Sequence, residues 1–369
     1  MRTGSFGMSA MAVLPAALLF PGTPATAAAQ EVVPISSEPP LCEIVLDEVL
    51  RLGALDDPGT IGFPAPITRV ESGDFVVAAL QNGAEMLVYD SRGRYRESFG
   101  RRGEGPGEFV EPGFGVLRPL PGGGVLVLDP FRRRITRLSA AWAFESSADH
   151  GGVLATNLLP LPSGSGYVLA GWGRSEASEY AEITQVIDLD GNLVETIAVV
   201  PTDDRMRNHF FSPLATDGEG RVWRALPTQY AVEAWDPAGP GIAVRLEGRP
   251  DWFTPGPPPE GYPDEAPSSS VIDGLRHEGG LLWITTFVAD GDWREAVADP
   301  VQFLPLDPNG VMDGVIEVID VRTGRLVART VQDEVLWRTG DRRRLARDSG
   351  AIVNPGQCAD PVVGRHHID

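Results

Sequence analysis

Five histidines, His150, His209, His277, His366 and His367, are the residues best suited to acid–base or metal chemistry. None sits in an H-E-x-x-H pair or a zinc-finger spacing, and the chain carries neither a Walker A loop nor a nucleophile elbow. His366 and His367 are adjacent, so on a strand they face opposite sides and cannot chelate one ion together. His209 is better placed, in a linker with Arg205 and Arg207. Acidic turns at Asp190-Gly191 and Asp217-Gly218 fall where hairpins need a turn, and turn chemistry accounts for them. Asp290-Gly291-Asp292 lies in a long insertion but lacks the D-x-D-x-D-G…E array of an EF-hand. No metal or other cofactor is therefore expected, and calcium is the divalent ion these turns would suit. The arginine triplets 132–134 and 342–344 should pair with neighbouring carboxylates in so acidic a chain.

Composition bounds the partners. The formal net charge is −20, every basic side chain is arginine, and such a field repels nucleic acid and anionic lipid. Residues 1–29 read as a secretory signal: Arg2 is the one charge, 8–20 are apolar, and Ala25-Thr26-Ala27-Ala28-Ala29 offers an A-x-A cleavage site before Gln30. Pro15, Pro21 and Pro24 interrupt that stretch, so no membrane insertion is expected, and the mature chain should be periplasmic or extracellular. Residues 30–42 then form a lead-in and 43–369 a single domain. The two cysteines, Cys42 and Cys358, are expected to form a disulfide, because the chain is exported and both flank the same closing element. The expected strand order sets them at opposite sheet ends, which works against the bridge.

The elements that position these residues are strands. The 43 glycines and 33 prolines punctuate too often for long helices, and short β-runs recur between Gly/Asp turns. The clearest unit is 67–70, 75–80, 86–90 and 95–99, turning at Ser72-Gly73-Asp74, Gln81-Asn82-Gly83 and Ser91-Arg92-Gly93. Four antiparallel strands in sequence make a meander, the shape of one propeller blade. Further units span 115–147, 158–199, 211–247 and 271–331, and 335–369 supplies only three strands. The segment 44–52 aligns with the outer strand 95–99 and can supply the fourth. The expectation is an all-β, six-bladed propeller closed by N- and C-terminal strands in one blade.

Blade junctions carry a motif. Phe99-Gly100-Arg101-Arg102-Gly103-Glu104-Gly105-Pro106-Gly107-Glu108-Phe109 joins the first two units, with a weaker copy from Leu50-Arg51-Leu52-Gly53 to Phe63-Pro64. This linker resembles the NHL-repeat junction, and the whole layout is similar to six-bladed propellers of exported bacterial proteins. That resemblance implies binding more than any one reaction. Enzymes of related folds, the amidating lyases and gluconolactonase-type lactonases, converge metal ligands at inner strands. Here only His209, with Asn157 and Asn208, lies near such positions.

Loop lengths suggest a working face. First turns are short, at 72–74, 122–124 and 278–280, whereas the excursions 53–66, 100–114, 173–181, 201–209, 248–270, 287–314 and 349–360 share the opposite rim. That rim should carry Arg101, Arg102, Arg205, Arg207, His209, Trp252, Phe253, Trp293 and Arg294, suited to hydrogen bonding and stacking with an unidentified small molecule or protein. The bland reading is that the loops cap the channel and bury its mouth. The functional expectation is an exported binding or scaffold propeller, with a metal-assisted lyase or lactonase acting in the central channel as the alternative.

Overall fold

A computed structural model describes residues 30–50, 52–53, 59, 61, 66–78, 84–175, 181–201, 212–237, 241–256, 266–291, 293, 312–332 and 362–367. Strands dominate. β1 (Glu31–Pro34) and β2 (Cys42–Leu50) precede five four-stranded antiparallel meanders. Blade I is β3 (Ile67–Arg69), β4 (Phe75–Val77), β5 (Met86–Tyr89) and β6 (Tyr95–Phe99). Blade II is β7 (Val116–Pro119), β8 (Val125–Asp129), β9 (Arg134–Leu138) and β10 (Phe144–Asp149). Blade III is β11 (Leu154–Pro160), β12 (Gly166–Gly173), β13 (Ala181–Asp188) and β14 (Leu193–Pro201). Blade IV is β15 (Leu214–Thr216), β16 (Val222–Leu226), β17 (Ala231–Trp235) and β18 (Ile242–Glu247). Blade V is β19 (Val271–Glu278), β20 (Leu281–Ala289), β21 (Met312–Asp320) and β22 (Leu326–Gln332), and β23 (Val362–His367) ends the described chain.

The number of blades differs from the expected six: the described residues build five. The expected closure differs too. The N-terminal strand was to complete a sixth blade beside an antiparallel C-terminal strand. Instead β2 runs parallel to β22 at Cys42 and Glu43, then parallel to β23 from Ile44 to Leu50. β2 and β23 do lie side by side in one sheet. β1 is a further parallel addition, pairing Glu31 with Val244 through Pro34 with Glu247 on the outer edge of blade IV. Parallel additions join segments far apart in sequence, so no turn residue announces them.

Apolar side chains pack between blades, as in a propeller each sheet must bury both faces against neighbours. Blade I meets blade II around Val76, Met86, Phe109, Leu117 and Val127. Blade II meets III around Leu126, Leu128, Leu158 and Leu169. Blade IV meets V around Trp223, Val232, Leu246, Ile272 and Ile284, where Val33 and Ile35 of the N-terminal lead-in also insert. Cys42 and Ile44 pack on blade V, while Leu50 and Leu52 pack on blade I. β2 therefore makes contact with the first and last blades.

The glycine linker is a self-contained clamp. Phe109 N–H donates to Arg101 O at 2.9 Å and Gly103 N–H to Phe109 O at 3.1 Å, which seats the Phe109 ring in the core between blades I and II. Glu108 folds back to accept from Gly105 N–H at 2.8 Å and from Arg101 Nε at 2.7 Å. A Cβ on Gly103 would collide with that carboxylate, so any side chain there must displace Glu108. Gly100 adopts φ +86° with no room for a side chain against Ala84 O.

Candidate functional site

Hairpin turns place the first group of polar residues. Asp217 directly follows β15, and its Oδ1 accepts the N–H groups of Glu219 and Arg221, both at 2.9 Å, closing an Asx-type turn. Asp90, Asp188 and Asp320 cap the third turns of blades I, III and V in the same way. The turn at Asp190-Gly191 is thus structural, as expected, although Asp188 is the residue that caps it.

Asp217 does more than cap. Its Oδ2 accepts from Arg221 Nε at 2.7 Å and from the Trp223 indole N–H at 3.0 Å. Burial pushes its pKa up, but these hydrogen bonds outweigh that and hold it below the usual carboxylate value. Arg221 reaches Glu219 at 3.0 Å, and its guanidinium carbon lies 5.8 Å from the Trp223 ring centre. From blade V, His277 at the end of β19 stacks on the same indole, with ring centres 5.6 Å apart and planes 13° apart. His277 Nε2 is buried without a hydrogen-bond partner. Burial lowers the imidazole pKa, Asp217 opposes that and Arg221 adds to it.

These residues form one wall of a cleft of about 480 Å³ between blades IV and V. Val33 and Val244 of β1 and β18 and Val321 from the third turn of blade V supply apolar surface. Glu31 and Arg322 stand on it as exposed charges, each without an ion pair among the described residues. The turns at 217–221, 278–280 and 321–324 set this cleft on the short-turn face.

The residues expected on the long-loop rim fare differently. Arg101 is bound to Glu108 at 2.6 Å, and exposed Arg102 approaches Glu111 at 4.0 Å. Phe253 is only 7% exposed and packs with Trp252 and Tyr230 into the core between blades IV and V. Arg329 stacks over Trp252 at 5.2 Å while also binding Glu317 at 2.8 Å through Nε. The Tyr230 hydroxyl donates to Glu317 from the other side, and burial raises the Glu317 pKa. Trp293 is likewise buried. Arg205, Arg207, His209, Asn208, Arg294 and Cys358 lie outside the described residues, as do the signal segment 1–29 and the triplet 342–344. Of the other triplet, Arg132 pairs with Glu104 at 2.6 Å and Arg134 with Asp149 at 2.9 Å, as the acidic composition led us to expect.

At the inner strands, side chains stitch blades together. Arg118 of β7 donates to Leu158 O at 2.6 Å and to Asn157 Oδ1 at 2.8 Å, and Asn157 Nδ2 donates to Ser212 O at 3.0 Å before β15. Ser212 Oγ donates to Glu182 of β13. Complete burial drives the Glu182 pKa up to about 7, against the opposing pull of Arg224. Arg224 itself is held by Glu233 at 2.6 Å. Asn157, an amide that might have served as a metal ligand, is thus committed to cohesion. Among the described residues no group of three or more His, Cys, Asp or Glu side chains could hold a metal ion.

No protein-family profile matches the chain, so no NHL repeat is shown, and no curated protein matches either. Solved structures with similar layout are distant. A member of the DUF4221 family from Bacteroides vulgatus shares 11% identity over 74% of this chain and 83% of its own, with a TM-score of 0.48. A protein of unknown function from Bacteroides caccae shares 13% over 73% and 81%, with a TM-score of 0.45. A catalytically inactive virginiamycin B lyase from Staphylococcus aureus, solved with quinupristin, shares 11% over 74% and 71%, with a TM-score of 0.42. At these identities the blades themselves, not the neighbours' activities, carry the description of this molecule.

Proposed function

We propose that this chain is an exported binding propeller whose ligand site is the cleft between blades IV and V. Export rests on Arg2, the apolar run 8–20 and the alanine-rich segment 25–29. The observation that carries the site is the cleft itself. Its volume of about 480 Å³ falls within the roughly 300–1,000 Å³ usual for small-molecule sites, and it combines an apolar base with a few convergent polar groups. On the long-loop rim, by contrast, Phe253, Trp252 and Trp293 are spent on packing, as in the reading where those loops cap the channel. A catalytic reading by metal would need converging inner-strand ligands, and Asn157 and Arg118 bind each other instead.

A ligand screen followed by NMR with labelled indole and imidazole nuclei tests the site. Bound compounds are expected to shift Trp223 and His277 together. Ligands that instead perturb Trp252 and leave that pair unmoved would return the site to the long-loop rim. Amino-terminal sequencing of secreted protein tests export, with Gln30 as the expected first residue.

A further inference from the structure

The cleft's charges point to a particular chemistry of ligand, an inference that rests on the binding reading above. Most polar groups there are already satisfied. Asp217 is saturated by Arg221, Trp223 and two turn amides, and Glu219 shares Arg221. Two charged groups are left over: the Glu31 carboxylate on β1 and the Arg322 guanidinium on the third turn of blade V. Arg322 donates its backbone N–H to Asp320 Oδ1 at 3.0 Å, which fixes the turn that carries the guanidinium. Glu31 is fixed through the parallel ladder to Val244, and buried Val33 two residues on anchors the strand. One anion and one cation, each on a backbone-fixed segment, therefore line the same cleft as the apolar surface of Val33, Val244 and Val321 and the His277 imidazole.

We propose that this cleft takes a zwitterionic short peptide, with its α-ammonium at Glu31, its α-carboxylate at Arg322 and an aliphatic side chain on the three valines. A ligand with one charge would engage only one of these two unpaired groups, whereas a zwitterion engages both. A guanidinium–carboxylate contact also supplies two parallel hydrogen bonds and so fixes orientation. The cleft volume exceeds that of a single residue, which favours a di- or tripeptide over a free amino acid.

The test uses the full mature chain and alanyl-leucine as probe, with its N-acetyl and C-amide derivatives, measured by calorimetry and by the Trp223 and His277 NMR signals. Wild type is expected to bind the free dipeptide at least tenfold more tightly than either blocked form. Glu31→Gln should abolish the difference between free and N-acetyl forms, and Arg322→Gln the difference between free and amidated forms. Both side chains are exposed, so neither variant should alter the melting temperature. If the dipeptide fails to bind while another compound still shifts Trp223 and His277, the peptide assignment falls and the cleft survives. If no compound shifts that pair, both fall. Equal binding of blocked and free dipeptides also overturns the proposal.

Discussion

Two buried titratable side chains pull stability in opposite directions with pH. His150 is almost fully buried at the end of blade II, and neither ring nitrogen has a hydrogen-bond partner. Burial, aided by Arg133, lowers its pKa to about 4, so the folded chain refuses a proton that the unfolded chain accepts from 6.5 downward. Its contribution is therefore present above pH 6.5 and lost as pH falls towards 4, about 3 kcal/mol in all at ~1.4 kcal/mol per unit. Glu182 is the reverse case, since burial raises its pKa to about 7 and the folded state holds a proton that the unfolded state releases from 4.5 upward. Its contribution is full below pH 4.5 and lost as pH rises through 7, again about 3 kcal/mol. Between these limits the slopes cancel, so wild-type stability should be nearly flat from pH 5 to 6.5. Urea denaturation across pH should show stability rising steadily with pH in Glu182→Gln and falling in His150→Gln. A flat profile in both variants would refute the assignment. Neither environment is legible in the sequence, because His150 and Glu182 acquire their surroundings from segments remote along the chain. His277 was visible as a histidine, but the contact that gives it a setting is with Trp223 on another blade. The packing of Trp252 and Phe253 was hidden for the same reason: Tyr230, remote in sequence, meets both rings, with Phe253 buried in the core and Trp252 half-buried against it.

Elements whose partners are near in sequence were legible almost residue by residue. The meander of blade I, the Gly-rich turns and the interblade linker all follow from local chemistry, in which Gly and Asp close a hairpin and alternating apolar residues fill both sheet faces. β1 was not, and for β2, a strand the sequence does suggest at 44–52, the parallel pairing was not, because parallel addition to an edge leaves no signature between the partners. An isolated run such as Glu31–Pro34 is too short to be distinguished from coil until Val33 is seen buried. The linker also allows a quantitative prediction. Phe109 is 1% exposed and joins blades I and II, so Phe109→Ala should cost about 3–5 kcal/mol, the range for emptying a buried aromatic site. Gly103→Ala should destabilise as well, by forcing Glu108 out of its bonds to Gly105 and Arg101. Chemical denaturation of the two variants checks both. A Phe109→Ala loss under 1 kcal/mol would show that the blades cohere without the plug.

On the scale of the whole molecule, the N-terminal segment acts as a strap. β1 covers the outer edge of blade IV, and β2 leaves blade V to reach the core of blade I. Edges covered this way are withheld from pairing with other chains. We expect Cys42, buried against blade V, to reinforce the strap through a bridge to Cys358, worth about 4–5 kcal/mol for so long a loop in the chain-entropy account. Thiol labelling of unreduced, denatured protein should find no free thiol, and two would end that idea. Truncation separates the two straps. Removing 30–41 deletes β1 and exposes the β18 edge, and withdrawing Val33 and Ile35 from the core should cost about 3–6 kcal/mol at ~1.5–3 kcal/mol for each buried aliphatic. It also takes Glu31 and Val33 from the cleft, so peptide binding should vanish even at temperatures where the truncated chain is folded. Removing 30–50 deletes β2 as well, which bares β22 and withdraws Leu50 from blade I. That chain should aggregate on a sizing column and lose its cooperative melt. Two truncated proteins that melt with the full-length chain and stay monomeric would show that the five blades cohere unaided and that the strap has no part in the fold.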